Sequence, residues 1–301
     1  MNANHPIIAA VDFSSASTAV VHHALHAADL AKTTLCLAHV IDSAVLNHRS
    51  MSLGQVPELD VLIANAKDRL KELIPPSGPV VSCDFVVRYG RPVDELNDLV
   101  TDSQASLLVI AANDLTKRHP GSVAASCIRT IPCDVMVLRD WGGRAFRTIL
   151  LCTDFSPSSS KALERAVWLA IRHNAALEIA YVMYPPSMDT WGDILQGKSL
   201  GDERSYAERC RSSVESSMAA FLSSESERLT HVVHRTAILE SVDPGQSLKY
   251  HVQDTTPDLV VLGSKLHSRL TRIFSVGIAD LLLHDTTASV LAVRDELQSP
   301  G

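Results

Sequence analysis

No apolar run in this chain reaches about 18 residues, which excludes a helix able to span a bilayer. No basic stretch followed by an apolar segment opens it, so a secretory leader is not expected and a cytoplasmic protein is. Cysteine is sparse and scattered. Cys36, Cys83, Cys127, Cys133, Cys152 and Cys210 stand alone, mostly inside apolar runs, with no CxxC pair and no Cys/His cluster. That spacing excludes a disulfide framework and predicts buried, reduced thiols. Positive charge is also short. The net charge is −7, the pI is near 6.0 and no Lys/Arg stripe appears, which argues against nucleic acid as a partner.

Catalytic signatures are missing as well. There is no GxSxG elbow and no GxxxxGK(S/T) phosphate loop. The turn AVDFSSAS contains no glycine, so a Ser/Gly-rich pyrophosphatase loop is absent too. No pair of carboxylates stands in a recognisable acid–base setting. Nothing demands turnover, and an enzyme is not expected. His22, His26 and Asp29 fall at i, i+4 and i+7 and so share a helical face that offers three metal ligands. The second half has Glu164, Trp168 and Ile171 there, so a solvated or interdomain face is the reading and no metal is expected.

What is present is a pattern used twice. The 301 residues are 46% hydrophobic and 20% charged, enough for roughly two domains with cores of their own. Asp12-Phe13-Ser14 reappears as Asp154-Phe155-Ser156, an offset of 142 (154 less 12) that also aligns Ala24 with Ala166, Leu35 with Leu177 and Val40 with Val182. Near the end Arg139-Asp140 matches Arg294-Asp295, an offset of 155 (294 less 139). A long-period repeat of this kind means one fold used twice. The joint is placed at Trp141-Gly142-Gly143-Arg144, which gives units 1–142 and 143–301.

Each unit reads as strands alternating with helices. PIIAAVD (6–12) is a continuous apolar run, as in a parallel strand buried on both faces. Ser14 and Ser15 offer N-cap oxygens to a helix over about 16–31, and Ser156-Pro157 starts its counterpart. TLCLAHV (34–40) is a second strand, about 56–74 a helix, VVSCDFVV (80–87) a strand nearer an edge, and Arg91-Pro92-Val93 opens a helix to about 103. LLVIA (107–111), SVAASCIRT (122–130) and CDVMVLR (133–139) close the first copy. LVVLG (259–263), GIADLLLH (277–284) and ASVLAVR (288–294) close the second. The stretch 185–205 is read as a surface loop that leads into a helix over about 206–226. The result is an α/β fold with parallel sheets and helices on both faces.

The runs AVDFS and AHVIDS, the tetrapeptide GSVA (121–124), IPCDVMVLRD (131–140) and the closing segment 259–294 resemble the universal stress protein family, in order and in both halves. The resemblance implies two doubly wound five-stranded sheets of order 3-2-1-4-5, paired about a pseudo-twofold axis. It also implies ATP as a possible ligand, held by an Asp after the first strand and by a loop of pattern G-x2-G-x9-G-(S/T) after the fourth. The matching positions are Asp12, Gly121 and Ser122 in the first copy, and Asp154, Gly263, Ser264 and Gly277 in the second. Both loops depart from the pattern. Ala111 and Asp114 replace the first two glycines of the first loop, which is also three residues short. In the second loop Leu266 takes the second glycine position, and Gly277 comes one residue late, after Val276. Lys265, Arg269 and Arg272 offer that loop either some anion affinity or only solvated charge.

The physics of such a crevice is general. It opens where strand order reverses, glycine lets backbone N–H groups approach phosphate, and the following helix dipole favours negative charge. Asp12 and Asp154 are read either as ligand contacts or as partners for orphan helix N–H groups, and Ser122 either as a plain N-cap or as a phosphate ligand. The last strands, Val135–Leu138 and Val290–Val293, are apolar edges that invite pairing with each other; a homodimer of chains is possible beyond that. The expected function is a stress-response binding and signalling module with degenerate nucleotide sites. The alternatives are slow ATP hydrolysis by the second repeat and a purely structural, partner-binding protein.

Overall fold

A computed structural model describes residues 5–53, 58–112, 122–139, 145–185, 203–264 and 275–294. The first repeat runs β1 (Ile7–Ala10), α1 (Ser17–Ala31), β2 (Leu35–Asp42), α2 (Ser43–Leu53), α3 (Leu59–Glu72), β3 (Cys83–Gly90), α4 (Pro92–Ser103), β4 (Leu107–Ala111), α5 (Ser122–Thr130) and β5 (Asp134–Leu138). The second runs β6 (Thr148–Thr153), α6 (Pro157–His173), β7 (Ala176–Met183), α7 (Glu203–Ser223), α8 (Ser226–Leu229), β8 (His234–Glu240), α9 (Pro244–Thr255), β9 (Leu259–Ser264), α10 (Ser275–Asp285) and β10 (Ser289–Arg294). The joint 141–144 and most of the expected 185–205 loop lie outside the described residues.

The strands form one ten-stranded sheet of order β3-β2-β1-β4-β5-β10-β9-β6-β7-β8. Read inward from each outer edge, each half has the order 3-2-1-4-5 that the resemblance implies. Pairing is parallel within each half and antiparallel only at the seam, where Leu291 faces Met136 and Val290 faces Val137. The apolar strands explain why the sheet forms. β1, β4, β5 and β10 are buried on both faces, so their side chains alternate between two cores. Met136 and Leu291 pack under α1 and α6, while Val135, Val137 and Val290 pack under α4, α5, α9 and α10. Both cores run unbroken across the seam.

Three local features depart from the sequence reading. α1 takes no side-chain cap: its N-cap is Ala16, and Ser14 Oγ instead accepts from Ala16 N at 3.3 Å in a turn before the helix. The helical stretch 43–53 was not legible because SAVLNHRSMSL has no apolar stripe; Asp42 Oδ1 starts it by accepting from Ala44 N at 2.8 Å. The segment expected as one helix to 226 stops at Ser223 and resumes as the short α8. All six cysteines are unpaired, and burial pushes the Cys36 thiol up to about 11 and those of Cys127 and Cys152 to about 12. Among the described residues no helix is long and apolar enough to cross a membrane.

Candidate functional site

Both strand–helix turns after the first strand of a repeat are built in the same way. Phe13 sits at φ 61° and Phe155 at φ 60°. A bulky side chain in the left-handed region costs about 1–2 kcal/mol, so something local must hold it there. The preceding aspartate does. Asp12 Oδ1 accepts from Ser14 N at 2.9 Å and from Ser17 Oγ at 3.3 Å. Asp154 Oδ1 accepts from Ser156 N at 3.0 Å and from Ser159 Oγ at 2.6 Å. Burial works against the Asp154 carboxylate, but the bonds from Ser156 and Ser159 outweigh it and hold its pKa below the usual value. Each aspartate therefore anchors its turn and still stands exposed.

Beyond that shared turn the repeats differ. In the first, a cavity of about 750 Å³ opens above the C-terminal ends of β1, β2 and β4, at the reversal of strand order. Its wall carries Asp12, Phe13, His39 and Arg69. The Arg69 guanidinium lies 4.0 Å from the Phe13 ring centre, and the His39 ring lies 4.4 Å from it on a tilt of 40°. His39 Nδ1 is 2.8 Å from the Val11 carbonyl. A carbonyl only accepts, so Nδ1 carries the proton and Nε2 is left as an acceptor in the neutral ring. Burial keeps that ring neutral by lowering its pKa, against the opposing pull of the Val11 bond and the Asp12 charge. Val20, Leu96 and Ile110 supply apolar floor.

In the second repeat Tyr181 occupies the place of His39. It stacks on Phe155 at 4.5 Å and 13°, and Phe221 of α7 closes on the same ring at 5.6 Å. Aromatic rings thus stand beside Asp154 where the first repeat has an imidazole and a guanidinium. α6 begins with the expected cap: Ser156 accepts from Ser159 N and Pro157 follows.

The expected loop residues disperse. Gly263, the next-to-last residue of β9, lies so close to α6 that a Cβ there would be 2.7 Å from the Ser158 carbonyl group. Its glycine is required by helix–strand packing. Ala111, at the same place in the first repeat, carries the methyl that Gly263 lacks, and α1 starts at Ser17, two positions later than the Pro157 start of α6 at the offset of 142. Ser264 is buried and accepts from Arg294 Nη1. It faces the seam between repeats and is not offered to the crevice. Gly277 is exposed in the first turn of α10, where a Cβ would meet nothing within 4 Å. Ser122 is the first residue of α5; Gly121 lies outside the described residues, as do Asp114, Lys265, Leu266, Arg269 and Arg272. Of the expected site residues whose side chains are described, Asp12 is the one that lines this cavity. The residues that sequence reasoning missed are Phe13, His39 and Arg69. The repeated Phe after Asp, and His39 within AHVIDS, were the available signals; nothing in the sequence marks Arg69 as their neighbour. Asp29 pairs with Lys32 at 2.9 Å, and no group of three His, Cys, Asp or Glu among the described residues is placed to hold a metal.

The model of the Universal stress protein family matches residues 3–139 and again 145–294. A universal stress protein from Archaeoglobus fulgidus DSM 4304 is similar over 98% of this chain and 98% of its own, at 14% identity and a TM-score of 0.63. A functionally unknown protein from Pseudomonas aeruginosa PAO1 covers 98% of this chain and 94% of its own, at 13% identity and a TM-score of 0.66. These likenesses bear on the fold. A universal stress protein solved in complex with cAMP matches 50% of this chain and 97% of its own, at 25% identity and a TM-score of 0.32. No curated protein matches.

Proposed function

The chain belongs to the universal stress protein family, once in each half, and from that premise we propose that it is a cytoplasmic stress-response binding and signalling module, not a catalyst, whose ligand or partner is recognised in the first repeat. The observation that carries this reading is the contrast between two equivalent places. Above Asp12 a cavity of about 750 Å³ stands open, within the size range of about 300–1,000 Å³ usual for small-molecule sites. Beside Asp154 the corresponding residues are aromatic: Phe155 stacks on Tyr181, with Phe221 behind, in place of the imidazole and the guanidinium. The open site pairs a flat cationic wall with a carboxylate and an imidazole acceptor over an apolar floor. That chemistry suits a planar ligand with hydrogen-bond donors on its edge. ATP is the nucleotide to try first, given the resemblance of the turn. The departures in the glycine loop, Ala111 above all, favour weak retention of a triphosphate.

The reading as a binder predicts saturable binding of labelled Mg-ATP without conversion to ADP over many dissociation times. Turnover that tracks the protein through purification would overthrow the non-catalytic part. An absence of saturation up to millimolar ATP would retire the nucleotide and leave a protein partner as the occupant of the same crevice.

A further inference from the structure

A second cavity, of about 260 Å³, lies at the seam between the repeats. Its floor is the register pair Met136 and Leu291, one from each repeat, so it sits on the pseudo-twofold axis. α1 and α6 form its two walls, and the walls are unlike. His23 on α1 and Arg165 on α6 are equivalent positions at the offset of 142, as are His26 and Trp168. The floor is apolar and buried, while the mouth is rimmed by the exposed His26 and Arg172. Charge is unevenly matched here. Arg165 Nε is held by Asp134 at 3.0 Å, and Asp29 is held by Lys32 at 2.9 Å. Arg172 lies over Trp168, its guanidinium carbon 5.5 Å from the ring centre, and among the described lining residues it is the cation not matched by a carboxylate.

We propose that this seam cavity binds a small monocarboxylate with an apolar body, its carboxylate at the Arg172 rim and its body over Met136 and Leu291. The size sets the class. The cavity is smaller than the about 300–1,000 Å³ of drug-sized sites, which limits the body to about ten non-hydrogen atoms. A guanidinium grips a carboxylate in two parallel hydrogen bonds, and a neutral amide cannot replace that. His23 stays neutral because burial, with the neighbouring His173 and His26, lowers its pKa to about 3, so the α1 wall adds no charge beside the apolar body, and the Arg165 charge opposite is already held by Asp134. Because both repeats contribute walls and floor, occupancy ties α1 to α6 and there is one site per chain. This site is independent of the crevice above Asp12.

The test is calorimetric titration of the intact chain with benzoate and, separately, with benzamide, followed in parallel through Trp168 fluorescence in a chain carrying W141F and W191F. The expected result is one benzoate per chain, with a Kd of about 0.1–1 mM, and about tenfold weaker binding of benzamide. Arg172→Gln weakens benzoate about tenfold, Leu30→Trp at the mouth blocks it, and Asp12→Asn leaves it unchanged. Benzoate that does not saturate by about 20 mM overturns the proposal, as does equal affinity for benzamide. Loss of binding in Asp12→Asn overturns it too, by placing the ligand in the other crevice. The comparison of the two probes on the unsubstituted chain decides the question even where a variant folds poorly.

Discussion

Arg139 and Arg294 each reach across the pseudo-twofold axis to the end of a helix in the opposite repeat. Arg139 Nη2 donates to the Leu283 carbonyl at the end of α10. Arg294 Nη2 donates to the Ile128 carbonyl at the end of α5, and its Nε to the Ile131 carbonyl at 2.9 Å. The strand ends follow suit: Arg139 N donates to Ser289 Oγ at 3.1 Å and Arg294 N to Asp134 Oδ1 at 2.9 Å. The last carbonyls of a helix have no partner within it, and a cation there also meets the negative end of the dipole. Each repeat thus completes a helix of the other, and the exposed pair Arg129 and Asp280, 2.9 Å apart, adds little beside it.

Arg294 is 5% exposed, so its removal strands buried carbonyls without access to water. Arg294→Met should lower the unfolding free energy by about 2–4 kcal/mol, since a buried polar group left unpaired costs about 1–3 kcal/mol and several are involved. Arg129→Ala should cost less than about 1 kcal/mol. Urea denaturation of both variants checks the ranking.

Gly263 supplies the second prediction. A methyl at this position collides with backbone of α6, which cannot rotate away as a side chain would. Gly263→Ala should destabilise by about 1–3 kcal/mol, the usual range for overpacking. The reverse change in the first repeat, Ala111→Gly, meets no such conflict and should cost only about 0.5–1 kcal/mol from the glycine's extra freedom in the unfolded chain. Thermal melts of the two variants, measured without ligand, separate packing from any role in binding.

These two positions show how far the sequence could be read. The doubly buried strands announce themselves, because a parallel strand covered on both faces must be apolar throughout. Helix starts with Pro at the first position, at Pro92 and Pro157, were equally plain. The stretch 43–53 escaped because it presents no apolar stripe, and its start depends on a single Asp42 hydrogen bond. Gly263 was visible as a glycine after a strand, but sequence alone does not tell a phosphate cradle from a close helix–strand contact. Ser264 and Arg294 were invisible as partners for a similar reason: they meet in a network whose other members, Asp134, Ile128 and Ile131, come from the first repeat. The aspartates were placed correctly at the switch points, yet the crevice beside them owes its character to His39 and Arg69, which arrive from a different strand and helix.

His23 should give the fold an acid limit. In the folded chain burial lowers its pKa from 6.5 to about 3. Between those values the unfolded chain binds a proton that the folded chain refuses, so stability falls as pH drops through that window. The slope from this group alone is about 1.4 kcal/mol per pH unit. His23→Leu should flatten the pH dependence of the unfolding free energy, read from urea denaturation between about pH 6 and 4, by about that amount per unit. A slope unchanged in the variant would show that other groups set the acid limit.

Asp154 works in the same direction through a different state. Its folded pKa lies below the ordinary value, so its contribution is present above the unfolded value and disappears as pH falls through the folded one. Asp154→Ala should therefore destabilise at pH 7 by about 0.5–2 kcal/mol, the range for losing a turn or cap acceptor, and by less at pH 3. Denaturation at the two pH values, compared with the unsubstituted chain, reads out the difference.

The most direct measurement of the central claim is the stoichiometry and location of nucleotide binding in the intact chain. Calorimetric titration with Mg-ATP should give no more than one site per chain. Asp12→Ala and Arg69→Ala should each weaken it about tenfold or more, as expected when a charge-assisted contact is lost, while Asp154→Ala and Gly263→Leu should leave the affinity unchanged in folded protein. Binding that survives Asp12→Ala and Arg69→Ala but vanishes with Asp154→Ala would contradict the account, because it would seat the ligand against the stacked Phe155 and Tyr181.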